Sequence, residues 1–156
     1  MDEHTPDKVH ELFMDLVRVT GMLQSEQTFA GEQISMSQAF CLHVLDTGVP
    51  LSQRDLGERL HLEKSTVSRL AAELERRGLV ERERDPANRR LYRLRITRAG
   101  RALHGRLRTA MHKQYVGWVA AMTPTERAAL VTGLSALVRS MAAASDADRS
   151  IVGDVS

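Results

Sequence analysis

Ser52–Ile96 reads SQRDLGERLHLEKSTVSRLAAELERRGLVERERDPANRRLYRLRI, and the order of patterns inside it decides the fold class. Ser52, with Asp55 three residues on, opens a short helix to about Leu60 whose buried pair is Leu56 and Leu60. His61 and Leu62 leave room only for a tight connection. A longer helix from about Glu63 to Arg77 turns Val67, Leu70, Ala71 and Leu74 inward and stops at Gly78, which suits a left-handed C-terminal position. The period then changes from 3.6 to 2. Leu79, Val80, Arg82 and Arg84 form one short strand. Asp85, Pro86, Ala87 and Asn88 are turn formers, and Leu91 to Ile96 alternates apolar residues (Leu91, Leu94, Ile96) with basic ones (Arg90, Arg93, Arg95), Tyr92 sharing the face of Leu94. Helix, short turn, helix and arginine-rich hairpin follow one another.

Helices extend on both sides. Ahead, Val9, Leu12, Phe13, Leu16, Val17 and Leu23 predict an amphipathic helix from about Asp7 to Thr28, and Phe29–Gln33, with Gly31, a break. Ser35 and Gln38 carry a capping-box pattern for a second helix that continues through Leu42 and Leu45 to a turn at Asp46–Pro50. Behind, Thr97 opens a long helix to about Met122. Thr123, Pro124 and Glu126 then start a last helix bearing Leu130, Leu134, Leu137, Val138 and Met141, with a fraying polar tail beyond about Ser145. The expected fold class is mainly α with a small β-hairpin: a winged helix-turn-helix lobe plus a helical region.

That arrangement has a mechanical purpose. The major groove of B-DNA admits one α-helix, braced by the helix before it. Such a reading helix must expose short polar and basic side chains at its N-terminal end, which here holds Lys64, Ser65, Thr66, Ser68 and Arg69. Arg69 can offer a bidentate fork to guanine or clamp a phosphate, and the hydroxyls can bond bases or phosphates. Gln53, at the start of the preceding helix, joins the candidate DNA-binding set. At the hairpin tip Asn88, Arg89 and Arg90 would reach a minor groove, whose narrow A·T-rich stretches attract arginine. Taken singly, the Ser-Thr-Val-Ser run is ordinary capping and the arginines a solvated strand edge; their order and spacing together favour DNA.

Charge agrees. Residues 52–101 hold fourteen basic and eight acidic side chains, so the net +2 of the chain conceals a basic middle between acidic ends. The composition, 42% hydrophobic and 27% charged, is that of a soluble globular protein of 156 residues. No run of about 18 apolar residues suggests a membrane span, and Met1–Pro6 lacks the pattern of a secretory signal. The single cysteine, Cys41, suits a reducing cytoplasm. No Ser-His-Asp elbow, phosphate-binding Gly loop or paired carboxylates point to an enzyme, and no cofactor is expected.

Leu56–Leu60, Leu62–Leu70, Leu74–Val80, Asp85–Arg90 and Leu94–Gly100, with Ile34–Gln38 ahead and Met122–Arg127 behind, resemble the MarR family over roughly residues 7–143. The resemblance implies a homodimer formed by the N- and C-terminal helices. It divides the chain into a dimerisation helix at 1–34, the winged helix-turn-helix at 35–97, dimerisation helices at 98–145 and a flexible tail at 146–156. It implies binding to a pseudo-palindromic site near a promoter, usually as a repressor, and for many members release by a small aromatic or phenolic effector. A constitutive or architectural DNA-binding protein without effector is the competing reading. Two positions depart from the pattern. Asn88 stands where the wing often has Asp, which bears on the orientation of Arg89, and Gly57 stands where Ala is more usual.

Candidate sensors have plainer readings. Cys41 is expected to be a buried core thiol, since free cysteine is among the most buried residue types. His43, His104 and His112 could supply metal ligands, but His104 and His112 are eight apart, not the four that sets two histidines side by side, and no Cys/His cluster has ligand spacing. Met111, Tyr115 and Trp118 are read as core or dimer packing. An effector pocket is expected between the DNA-binding lobe and the helical region, with lining residues not legible.

Overall fold

The computed structural model describes residues 4–20 and 29–153, with side chains as far as residue 144. In chain order the elements are α1 (Thr5–Val19), α2 (Met36–Leu45), β1 (Leu51–Ser52), α3 (Gln53–Leu60), α4 (Lys64–Arg76), β2 (Val80–Arg84), β3 (Tyr92–Ile96), α5 (Arg98–Ala120) and α6 (Pro124–Gly153). They fall into two compact units, Met1–Met111 and His112–Ser156, so the division lies within α5. The expected continuation of the first helix through Leu23 to Thr28 falls outside the described residues, apart from Thr20, whose N–H closes the last turn on Leu16.

In the first unit the caps act as the residues suggest. Ser35 Oγ accepts from Gln38 N–H while Gln38 Oε1 accepts from Ser35 N–H, and Ser52 and Asp55 repeat the exchange at α3. Each pair satisfies donors that a helix start otherwise leaves orphaned. His61 closes α3 in the left-handed region (φ 53°), and Gly78 follows α4 with φ 68°. Leu42, Leu56, Val67, Leu74, Leu94 and Ile96 are all but sealed from solvent in one core, to which α5 adds Leu103 and Leu107.

The expected hairpin is part of a three-stranded antiparallel sheet in the order β1-β3-β2. Val80 pairs with Ile96 and Arg84 with Tyr92, while Leu51 pairs with Leu94 from the other side. Two residues are too short a run to show periodicity. Leu91, grouped by alternation with the buried residues, is 54% exposed and precedes β3; its N–H belongs to the turn, donating to Asn88 O. Thr97 caps α5. Its Oγ1 accepts from Gly100 N–H, and its one hydrogen is shared between the carbonyls of Gly78 at 2.7 Å and Leu79 at 3.1 Å.

In the second unit Thr123 and Glu126 cap α6, the Glu126 carboxylate accepting the Thr123 N–H and hydroxyl at 2.8 Å each. The Thr123 donors hold that carboxyl below its ordinary range. α6 runs to Gly153, past the fraying point expected near Ser145; Ala142, Ala143 and Ala144 favour helix and no proline interrupts. Tyr115 and Trp118 meet edge to face at 5.5 Å.

Candidate nucleic-acid interface

The reading head is built by burying one face of α4. Val67, Leu70, Ala71 and Leu74 lie in the core, and each fully buried leucine contributes about 1.5–3 kcal/mol. The helical period then forces Lys64, Ser65, Ser68 and Arg69 outward, all exposed, with Thr66 half-buried between them. Gln53, half-buried, is the first residue of α3. Glu63, the residue before α4, makes no side-chain cap, so the first N–H groups of this helix have no side-chain acceptor. Gly57 lets α3 close onto the turn: a Cβ there would stand 3.0 Å from Leu62 O and 3.2 Å from a Val67 methyl.

The wing is organised by Asp85. The sequence marks it only as a turn former, yet it is 7% exposed. One carboxylate oxygen accepts the N–H groups of Ala87 at 2.8 Å and Asn88 at 3.2 Å, and the other takes Arg93 Nε at 2.7 Å. The Arg93 guanidinium and then the Ala87 amide hold this carboxyl below its ordinary range. Asn88 fills the place where Asp is more usual by accepting Arg90 N–H on Oδ1 at 3.1 Å, and Arg84 donates to Arg89 O while lying 4.5 Å over the Tyr92 ring. The tip is therefore pinned through backbone atoms, which leaves the side chains of Asn88, Arg89 and Arg90 exposed.

The basic residues around α4 and the wing are engaged in different ways, and Arg77, Arg84 and Arg101 donate to uncharged oxygens. Arg54 pairs with Glu58, Arg76 with Glu73, Arg82 with Glu75, Arg93 with Asp85, and Arg95 with Glu81 and Glu83. Among the described residues, the side chains of Lys64, Arg69, Arg89 and Arg90 have no hydrogen-bonded or ionic partner. Arg59 and Arg98 are exposed and equally unengaged. The sequence reading did not single them out, because pairing across helices and strands is not visible in one dimension. The net charge of residues 52–101 thus comes from cations that are not neutralised by the fold and that include the head of α4 and the tip of the wing.

The candidate sensors occupy other places. Cys41 is fully buried in α2, and burial pushes its thiol up to about 12. His43 and His104 meet each other, and His104 also meets Asp46. His43 and His104 stand 61 residues apart in the chain, so no local spacing announces their contact. Among the described residues no three His, Cys, Asp or Glu side chains gather as a metal site, and no helix is long and apolar enough to cross a membrane.

A model described as the MarR family matches residues 32–91. The HTH-type transcriptional regulator TtmR of Methylorubrum extorquens (strain PA1) is 33% identical over 108 residues, 69% of this chain and 54% of that protein. The chain spans 54–59% of the length of the curated relatives it matches. Among solved structures, the PcaV transcriptional regulator from Streptomyces coelicolor, in complex with its natural ligand, is 28% identical with a TM-score of 0.64, over 92% of this chain and 94% of that one. The MarR family transcription regulator SP03579 shares the fold at a TM-score of 0.73 and 22% identity, over 92% of this chain and 96% of that one. The segment matched by the family model runs from the approach to α2 through the wing tip, the same stretch whose caps, reading helix and basic turn carry the sequence resemblance, and over these residues the chain matches the MarR family.

Proposed function

We propose that this protein is a transcriptional regulator that binds duplex DNA through α4 and the wing, with no enzymatic activity. One observation carries the proposal: the exposed cations of the α4 head and wing tip are engaged by no hydrogen-bond or ionic partner among the described residues, while the cations that brace the scaffold are held by carboxylates or by uncharged oxygens. Phosphate contacts need such uncommitted charge. Lys64 and the uncapped start of α4 take phosphate, Ser65, Thr66, Ser68 and Arg69 face base edges, Gln53 supports them from α3, and Asn88, Arg89 and Arg90 enter the minor groove.

The active form is a homodimer acting as a repressor in the cytoplasm on a pseudo-palindromic site. Its dimerisation surface comes from residues 1–34 and 98–145. The exposed apolar rows Val9, Leu12, Phe13 and Leu16 on α1, and Leu130, Leu134, Leu137 and Val138 on α6, support this assignment, since such surface is normally covered. Two reading heads must then stand one helical turn of DNA apart, about 34–36 Å. A small aromatic or phenolic compound that altered this distance would release the DNA; PcaV, solved with its natural ligand, supports an effector.

Selection of duplexes from a random pool by the full-length protein tests the reading, followed by anisotropy at two salt concentrations against a scrambled duplex. Recovery of a palindromic sequence bound in preference to the scrambled one is expected. Equal binding to both, with a steep salt dependence, would replace the regulator with an architectural DNA-binding protein.

A further inference from the structure

His104 on α5 is 7% exposed and sits in a polar chain that reaches α2. Its Nδ1 lies 2.7 Å from Asp46 Oδ2, and its Nε2 lies 3.2 Å from Nδ1 of the exposed His43. Asp46 is the C-cap of α2 and begins the turn that leads into β1 and α3. Just before α2, Glu32 takes the guanidinium of Arg106 at 2.6 and 3.3 Å. α5 therefore holds the ground at both ends of α2 with side chains two positions apart. The Arg106 link keeps its charge at any working pH, because arginine does not deprotonate in proteins. The other link contains two imidazoles, each of which has two ring nitrogens and can take up a proton.

Proton counting decides what that link can do. An ionised carboxylate only accepts, so His104 Nδ1 carries a hydrogen toward Asp46. His104 Nε2 and His43 Nδ1 then share one hydrogen bond, which needs one hydrogen and one lone pair. With both rings neutral, His43 Nδ1–H donates to Nε2. One added proton is accommodated, on either ring, and Asp46 balances its charge. A second puts two N–H groups face to face, and the bond is lost. His43, being exposed, is the ring that turns away, so that α2 loses one of its two ties to His104 and keeps only the one through Asp46. The charged and titratable groups around His104 are His43 and Asp46 on α2 and Glu32 ahead of it, the last engaged by Arg106. On α5 they are Arg101, which donates to Ile96 O, and Arg108, one turn further on.

We propose that His104 is a positioning residue for the DNA-reading lobe, holding the C-terminal end of α2 through an Asp46–His104–His43 chain that accepts one proton and parts on the second. The chain stands on its own geometry; its consequence for DNA rests on the function proposed above, and the two are tested separately.

The chain is tested by imidazole ¹⁵N spectra of the full-length protein from pH 8.5 to 5. His104 Nδ1 should stay protonated throughout, and replacing either ring should displace the titration of the other. Independent single-step titrations, each indifferent to loss of the other ring, would overturn the chain. The positioning role is tested on the duplex selected by the wild-type protein. His104→Phe should weaken binding by roughly fivefold or more, with helical content retained, and His104→Asn, which keeps a donor toward Asp46, should recover most of it. Wild-type affinity should fall on the acid side, and His43→Gln should remove that fall. If His104→Phe does not fold, the pH profiles of wild type and His43→Gln decide. A coupled chain in the spectra with unchanged affinity and profile in every variant would overturn the positioning role alone. Failure to select any duplex would remove the DNA reading, and the positioning role with it, leaving the spectra to judge the chain.

Discussion

Gly100→Ala should destabilise the protein although it replaces glycine by the best helix former inside a helix. On propensity alone the change is worth about 1 kcal/mol in favour of folding. The structure reverses the sign. A Cβ at Gly100 would lie 2.1 Å from the Leu79 carbonyl oxygen and 2.7 Å from Ile96 Cγ1. The first neighbour is backbone and must retreat by more than 1 Å to reach ordinary contact. That same oxygen accepts the Thr97 N–H at 3.0 Å and the Thr97 hydroxyl at 3.1 Å, the bonds that join the start of α5 to the entry of β2. Overpacking costs about 1–3 kcal/mol, and each weakened hydrogen bond about 1 kcal/mol. The net loss is about 2–4 kcal/mol, a fall in Tm of roughly 4–16 °C for a chain of this size. Gly105→Ala is the matched control on the same helix, since a Cβ there meets nothing within 4 Å; it should raise Tm by about 2–4 °C. Thermal denaturation followed by circular dichroism measures both. A Gly100→Ala protein as stable as the wild type, or two alanines that shift Tm alike, would refute the close-approach argument.

Other changes separate the roles assigned to the DNA-facing unit. Arg69→Ala should cost about 1–3 kcal/mol of discrimination between the selected and scrambled duplexes, measured by anisotropy, with thermal stability little changed because this exposed side chain makes no hydrogen bond or ion pair among the described residues. Arg89→Ala should weaken binding to both duplexes alike and make the slope of log K against log salt shallower by about one contact's worth. Asp85→Asn should loosen the wing, lowering affinity without altering sequence preference. Because the folded-state pKa of Asp85 is depressed, its contribution is present above the ordinary carboxylate range and is lost as pH falls through the folded value; the acid limb of wild-type stability should therefore be steeper than that of the Asn variant. Cys41, buried with its thiol pushed up to about 12, should resist a thiol reagent at pH 8 in the native protein and react on unfolding; rapid native-state labelling would contradict its burial.

What the sequence alone determined about this protein is local. Ser35 with Gln38, Ser52 with Asp55, and Thr123 with Glu126 start helices where the pattern says, because the partners of a cap stand three positions apart and need no distant residue. Gly78 ends α4 because a left-handed residue suits that position wherever the chain goes. The outward face of α4, and with it the candidate reading residues, follows from helical period and the apolar face alone. Contacts that depend on distant partners were decided by the tertiary structure. β1 exists only because Leu51 finds Leu94 across the sheet, a pairing that two residues cannot announce. Asp85 becomes the anchor of the wing through a hairpin register that brings Arg93 beside it, and Arg82 and Arg95 become scaffold cations only when Glu75, Glu81 and Glu83 arrive from other elements, whereas Arg54–Glu58 and Arg76–Glu73 are local pairs on one helix. His104 meets Asp46 and His43 across 58 and 61 residues of chain. Polar groups carry no periodic signal of their partners, so which charges are spent inside the fold and which remain for DNA is settled only when the chain has closed on itself.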